Sequence, residues 1–154
     1  MSELDIDKIK EYIRQSSKDS AVYIGCDSAR HKKKGEWFAS YSRVVVIHHD
    51  SSRGCKIFGD IELKRDFGVL SLRLMNEVYM ATDLALELAD VIDDRPFEIH
   101  LDINRSKDHK SSVVVKEACG YVRGMLGVEP KLKPYALASS AAADNFGRIQ
   151  NTIT

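Results

Sequence analysis

The run Ala21-Val22-Tyr23-Ile24-Gly25-Cys26 is almost unbroken in apolar character and ends at Asp27-Ser28. Runs of this kind belong to strands buried on both faces, so the remainder of the chain must supply the layers that cover it. Two further strand-like segments follow, Trp37 to His49 and Lys56 to Leu63, rich in Val and aromatic residues. The turn residues His49-Asp50-Ser51-Ser52-Arg53-Gly54 between them predict an antiparallel meander. A basic loop, Arg30-His31-Lys32-Lys33-Lys34-Gly35, is expected to separate the first strand from the second.

The period then changes. Leu70, Leu74, Val78, Ala81, Leu84, Leu88 and Val91 recur at helical spacing with no internal Pro or Gly, which predicts the longest helix. Asp93-Asp94-Arg95-Pro96 stops it, and Phe97 to Asp102 reads as a fourth strand. A helix over about 111–126 follows, with Gly127 just past its end. Lys131-Leu132-Lys133, between Pro130 and Pro134, is a short fifth strand, and an Ala-rich helix runs from Ala138. Ahead of all of these, Ile6, Ile9 and Ile13 share one stripe of a short N-terminal helix that Asp5 caps. The order predicts an α/β fold: three antiparallel strands and then parallel strands in one mixed five-stranded sheet, with helices on both faces.

At 154 residues the chain is expected to form a single domain, 1–154. Its 44% hydrophobic and 30% charged residues exclude a disordered or collagen-like chain. No apolar stretch approaches the ~20 residues of a membrane helix, and the polar start lacks a signal-peptide core, so a cytoplasmic protein without a membrane partner is expected. Cys26, Cys55 and Cys119 are odd in number, widely spaced and without a Cys-x-x-Cys pair, which predicts reduced, buried thiols.

Four carboxylates stand out. Asp27 and Asp102 occupy equivalent places after apolar strand residues, where α/β sheets gather ligands; each also suits a simple turn or cap. Glu77 falls on or beside the apolar face of the long helix, where a carboxylate is costly unless paired, protonated or bound to a cation, or snorkelling to the rim. Asp144 follows the small residues 138–143, which let that helix lie close to a neighbour; an acid near a helix N-terminus is also favoured by the dipole. Acids drawn from separate elements repel one another and become intelligible around a divalent cation. All-oxygen donors favour Mg²⁺ or Mn²⁺ over Zn²⁺. Ser28 and Asn104, next to the principal acids, suit either ligand orientation or capping of backbone amides.

The order of elements and these acids resemble the ribonuclease H-like superfamily, and within it the YkuK-type family of predicted nucleases. The matching words are Tyr23-Ile24-Gly25-Cys26-Asp27-Ser28, His100-Leu101-Asp102-Ile103-Asn104, Gly120-Tyr121-Val122-Arg123-Gly124, and Lys133-Pro134-Tyr135-Ala136-Leu137-Ala138-Ser139 leading to Ala143-Asp144. The likeness spans a core of about 20–147, with 1–19 as an N-terminal helical extension. It implies a metal-dependent nuclease acting on RNA, RNA–DNA hybrid or structured DNA. Asp27 and Asp102 would hold two Mg²⁺ or Mn²⁺ ions, Glu77 and Asp144 would complete the coordination, and a metal-bound water would attack phosphorus in line.

A formal charge of zero, 23 Lys and Arg against 23 Asp and Glu, at first opposes a nucleic-acid partner. Resolved along the chain, the charge is uneven. Residues 83–98 hold six acids against Arg95, whereas 103–133 hold seven basic residues against three acids, and 30–34 add four more. Both basic stretches follow a candidate metal-binding strand. Arg30, Lys32, Lys33, Arg105, Lys107, Lys110 and Lys133 are therefore candidate substrate-binding residues, and solvated loops without a partner are the plainer alternative. Trp37, Tyr41 and Tyr121 suit base stacking, although Trp37 is expected to lie in the meander as core or edge packing. A non-catalytic nucleic-acid-binding module on the same fold is the competing function. An integrin-insert-type metal site is excluded because Asp27-Ser28-Ala29-Arg30-His31 fails Asp-x-Ser-x-Ser, and the glycine motifs of nucleotide-binding folds are absent.

Overall fold

Asp5 caps the first helix by accepting the Lys8 amide on Oδ1 at 3.1 Å, and Ile9 and Ile13 on its inner stripe are fully buried. The computed structural model describes residues 4–104 and 109–133. Their elements are α1 (Ile6–Gln15), β1 (Ala21–Lys33), β2 (Glu36–His48), β3 (Cys55–Arg65), α2 (Leu70–Ile92), β4 (Phe97–Asn104), α3 (His109–Leu126) and β5 (Lys131–Lys133), with a 3-10 turn at His49–Ser51. The strands form one sheet in the order β3-β2-β1-β4-β5, antiparallel among β1, β2 and β3 and parallel from β1 to β4 to β5. This is the expected mixed α/β sheet. The expected helix from Ala138 onward lies outside the described residues.

β1 is central because its first half is apolar on both sides. Val22, Ile24 and Cys26 face α2 with no exposed surface, together with Val45 and Ile47 of β2 and Ile99 and Leu101 of β4. On the opposite face Ala21, Val44 and Val46 are buried too, so the centre of the sheet is closed on both sides. Burying each such side chain contributes about 1.5–3 kcal/mol. α2 packs on β1 and touches both α1 and α3, so these helices form one layer. No described helix is long and apolar enough to cross a membrane.

The layer is tied to the sheet at its ends. Arg95, just beyond α2, donates to the carbonyls of Val91 and Ser16 at 2.8 Å each and of Ser17 at 3.3 Å, satisfying acceptors left over at the ends of two helices. Asp60 of β3, 4% exposed, takes the Arg43 guanidinium through both oxygens, at 2.9 and 2.5 Å, and also accepts the Leu4 amide at 3.1 Å. Gly127 follows α3 with φ +71°, and its N–H donates to the Arg123 carbonyl at 2.9 Å, the expected αL termination.

Three expectations need correction. The first strand does not end at Asp27-Ser28: β1 continues to Lys33 and pairs with β2 through the rung Lys33/Glu36, which leaves Asp27 in mid-strand. The basic residues therefore form a hairpin arm closed by Lys34-Gly35, both at positive φ (51° and 80°), the two-residue turn that matches strand twist. Trp37 is not packed in the meander but 41% exposed on this arm. Of the three thiols, Cys26 and Cys119 are buried as expected, whereas Cys55, at the edge-strand start of β3, is exposed.

Candidate active site

The parallel ladder between β1 and β4 runs from Val22/Phe97 to Cys26/Leu101, and Asp27 and Asp102 are the next residue on each strand. Side chains alternate across a strand, so Tyr23, Gly25 and Asp27 share a face with Glu98, His100 and Asp102. The Tyr23 and His100 rings stack on that face, 5.1 Å between centroids and 22° between planes. Asp27 and Asp102, both half-buried, thus stand side by side where β1 loses its β4 neighbour. Neighbouring strands lie about 4.8 Å apart, which brings two negative charges close in a partly desolvated place. One oxygen of Asp27 accepts the Ser28 amide at 2.9 Å.

Glu77 reaches the same region from the helix layer. It is 4% exposed on α2 and accepts the Ser28 hydroxyl at 2.5 Å. Ser28, one residue after Asp27, points to the opposite face of β1, so it links the buried helix carboxylate to the strand that carries the aspartate pair. The expected amide-capping role of Ser28 gives way to this side-chain bond. Burial raises the Cys26 thiol pKa well above its ordinary value, and the charges of Glu77 and Asp27 raise it further. Tyr41 of β2 is raised by burial, opposed by the hydrogen bond that Asn76 Nδ2 donates to its hydroxyl at 3.2 Å, and again raised by Glu77. Burial holds His100 below the usual imidazole range, against the pull of Glu98, which it contacts at 2.7 Å.

Among the described residues no group of three or more His, Cys, Asp or Glu side chains is gathered so that it could hold a metal ion. Asp27 and Asp102 share one face of the sheet, whereas Glu77, bonded to Ser28, stands on the helix-facing side and does not join them in one cluster. Asp144, Arg105 and Lys107 lie outside the described residues. Asn104 ends β4, Lys110 is the second residue of α3 and Lys133 ends β5. Arg30, Lys32 and Lys33 stand on the hairpin arm. Arg30 is held by Asp66 at 2.7 Å, with its guanidinium 4.2 Å from the Trp37 ring centroid. Arg73 and Asn76 were not singled out by sequence, and Tyr41, expected as a stacking ring, is buried. Asn76 and Arg73 lie one and four residues before Glu77, which is the only local signal that they belong near it.

Residues 5–148 match the family described as Ribonuclease H-like. The chain belongs to that family. Neither a curated protein nor a solved structure matches it significantly. Along this ribonuclease H-like chain, Asp27 lies on the first strand, Glu77 on the helix that follows the meander, and Asp102 near the end of the fourth strand. The donors they offer are carboxylate oxygens alone, a set that fits a hard divalent cation such as Mg²⁺ or Mn²⁺ and suits Zn²⁺ poorly.

Proposed function

We propose that the protein is a metal-dependent nuclease that hydrolyses phosphodiester bonds of RNA, RNA–DNA hybrid or structured DNA in the cytoplasm. The observation that carries this reading is the side-by-side position of Asp27 and Asp102 at the point where β1 and β4 part. Two carboxylates in that relation stabilise the fold poorly by themselves and are useful as a paired cation site. In this reading Asp27 and Asp102 hold two Mg²⁺ or Mn²⁺ ions, and Glu77 and Asp144 complete the coordination. The ions would supply activation of the attacking water and neutralisation of charge on the phosphate. Ser28 fixes the rotamer of Glu77 by donating to it, so Glu77 is presented from the helix layer in one orientation. Asn104, Arg105, Lys107, Lys110 and Lys133 then serve the substrate backbone after β4, and Arg30, Lys32 and Lys33 serve it on the arm.

The test is cleavage of a panel of RNA, hybrid, hairpin and junction substrates with Mn²⁺ or Mg²⁺. Wild type is expected to cut at least one member. Asp27→Asn/Asp102→Asn is expected to lose about 10²–10³-fold or more in rate while melting at the wild-type temperature or above, because a repulsion is relieved. If wild type is inert on the whole panel, or the double variant cuts equally well, the nuclease reading falls and a non-catalytic nucleic-acid-binding module takes its place.

A further inference from the structure

The helix-facing side of the arm continues the row of residues that ends at the candidate site. From Ser28 outward it presents Arg30 and Lys32 of β1, Trp37, Ala39 and Tyr41 of β2, and Lys64 of β3. Opposite this row, the start of α2 supplies Arg73 and Asn76. Of these, Tyr41 and Lys64 on the strand side and Arg73 and Asn76 on the helix side border a cleft of about 280 Å³, and Trp37 stands outside its lining.

Two observations mark the cleft as a place for an anion. Residues 30–38 and 62–73, which build the arm and the near end of α2, hold seven Lys or Arg against three acids, in a chain whose total is zero. Two of those acids are already engaged, Asp66 by Arg30 at 2.7 Å and Glu36 by Arg65 at 3.5 Å. In addition, the Arg73 Nε is buried with no hydrogen-bond partner among the described residues. A sequestered guanidinium N–H is costly until an acceptor arrives, and a phosphate oxygen is the acceptor that a guanidinium fits best.

A third observation narrows the ligand. The cations are interleaved with aromatic rings. Arg30 lies 4.2 Å and Lys32 5.9 Å from the Trp37 ring, Lys64 6.0 Å from Tyr41, and Arg65 5.9 Å from Phe67, a cleft residue that is 71% exposed. Arg30, pinned by Asp66, holds the indole in one orientation beside the cleft, and the Asp66 amide donates to the Trp37 carbonyl at 3.0 Å. The two exposed rings, Trp37 and Phe67, set among cations, suit unstacked bases and a flexible backbone; a continuous duplex keeps its bases stacked on one another and has none to offer.

We propose that this cleft binds an unpaired nucleotide strand, with a phosphate on Arg73 and Lys64 and bases against Trp37 and Phe67. The cleft adjoins the candidate site through consecutive residues, Asn76 lining it and Glu77 bonding Ser28. A strand bound there runs along the helix-facing side of the arm to the Ser28–Glu77 bond. The inference builds on the nucleic-acid reading above and selects, within it, substrates with a single-stranded end or flap.

Trp37 is the only tryptophan of the chain, so its fluorescence reports on this surface alone. The full-length protein in EDTA is titrated with an oligothymidylate of about a dozen nucleotides and with a duplex of the same length. Expected are quenching of Trp37 by the single strand and an affinity about tenfold above that for the duplex. With an end-labelled strand followed by anisotropy, Trp37→Ala and Arg73→Gln each weaken binding about tenfold, and Trp37→Tyr recovers most of the first loss. Arg73→Gln also lowers the salt slope by about 0.7, the value for one phosphate contact on a single strand. Lys64→Ala, a half-buried position outside the core, is the companion variant should Arg73→Gln fail to melt cooperatively. No quenching, preference for the duplex, or wild-type affinity in these variants overturns the proposal. Because EDTA removes divalent cations, binding is read apart from cleavage. Strand binding by a protein that cuts nothing sinks the nuclease reading alone, and cutting with no effect of Trp37→Ala on binding sinks this one alone.

Discussion

The two halves of β1 share one backbone and one partner in β2, yet they do opposite things. From Ala21 to Cys26 the strand lies between β2 and β4 and is apolar on both faces; from Ser28 to Lys33 it pairs with β2 only and is polar and basic. Asp27 is the residue between them. A strand that loses one neighbour gains a free edge and room above its end, so ionisable groups that would be prohibitive one rung earlier become tolerable there. The division between core and candidate site is thus drawn inside a single strand by where the β4 ladder stops.

The largest expected stability effect tests the boundary rung. Arg43 pairs with Cys26, and its guanidinium depends on Asp60. Asp60→Ala leaves that cation uncompensated in a half-buried place and is expected to cost about 3–5 kcal/mol in urea unfolding. A loss under about 1 kcal/mol would mean that the boundary is more open to water than its burial indicates. The next effect contrasts the halves directly. Ile24→Ala in the enclosed half should cost about 2–5 kcal/mol, whereas Lys32→Ala on the arm should change stability by no more than about 0.5 kcal/mol. Equal costs would break the comparison. The smallest sharpens it at the tip: Lys34 holds φ 51°, so Lys34→Gly is expected to stabilise by a few tenths to about 1 kcal/mol in the same measurement, and destabilisation would refute the turn geometry.

Much of this was legible in the chain, because the signals were periodic. The buried run ending at Cys26, the long helix now seen at Leu70–Ile92, the Asp5 cap and the Gly127 terminus each follow from local spacing or backbone preference. The burial of Glu77 followed from helical phase alone. The continuation of β1 did not show, because an arm outside the packed sheet needs no apolar face, and Arg30 to Lys34 carry the composition of a loop. Only cross-strand pairing through the Lys34-Gly35 turn makes it a strand. The Ser28 to Glu77 bond and the Asn76 to Tyr41 bond, 49 and 35 residues apart in sequence, are products of packing and have no local signature. The same holds for Trp37, whose exposure depends on which part of β2 the helices cover.

The tight turn at Lys34-Gly35 also bears on how the chain finds its fold. β1 and β2 close thirteen consecutive rungs from a loop of two residues, so every added pair encloses only two more residues of chain. Such zippering carries little loop-closure entropy and belongs to the fast, microsecond class of folding events. The parallel pairing of β1 with β4 instead spans the whole of β2, β3 and α2. A ribbon started at its most solvated end can therefore present Val22, Ile24 and Cys26 already in register when α2 and β4 arrive, and the aspartate pair is assembled last.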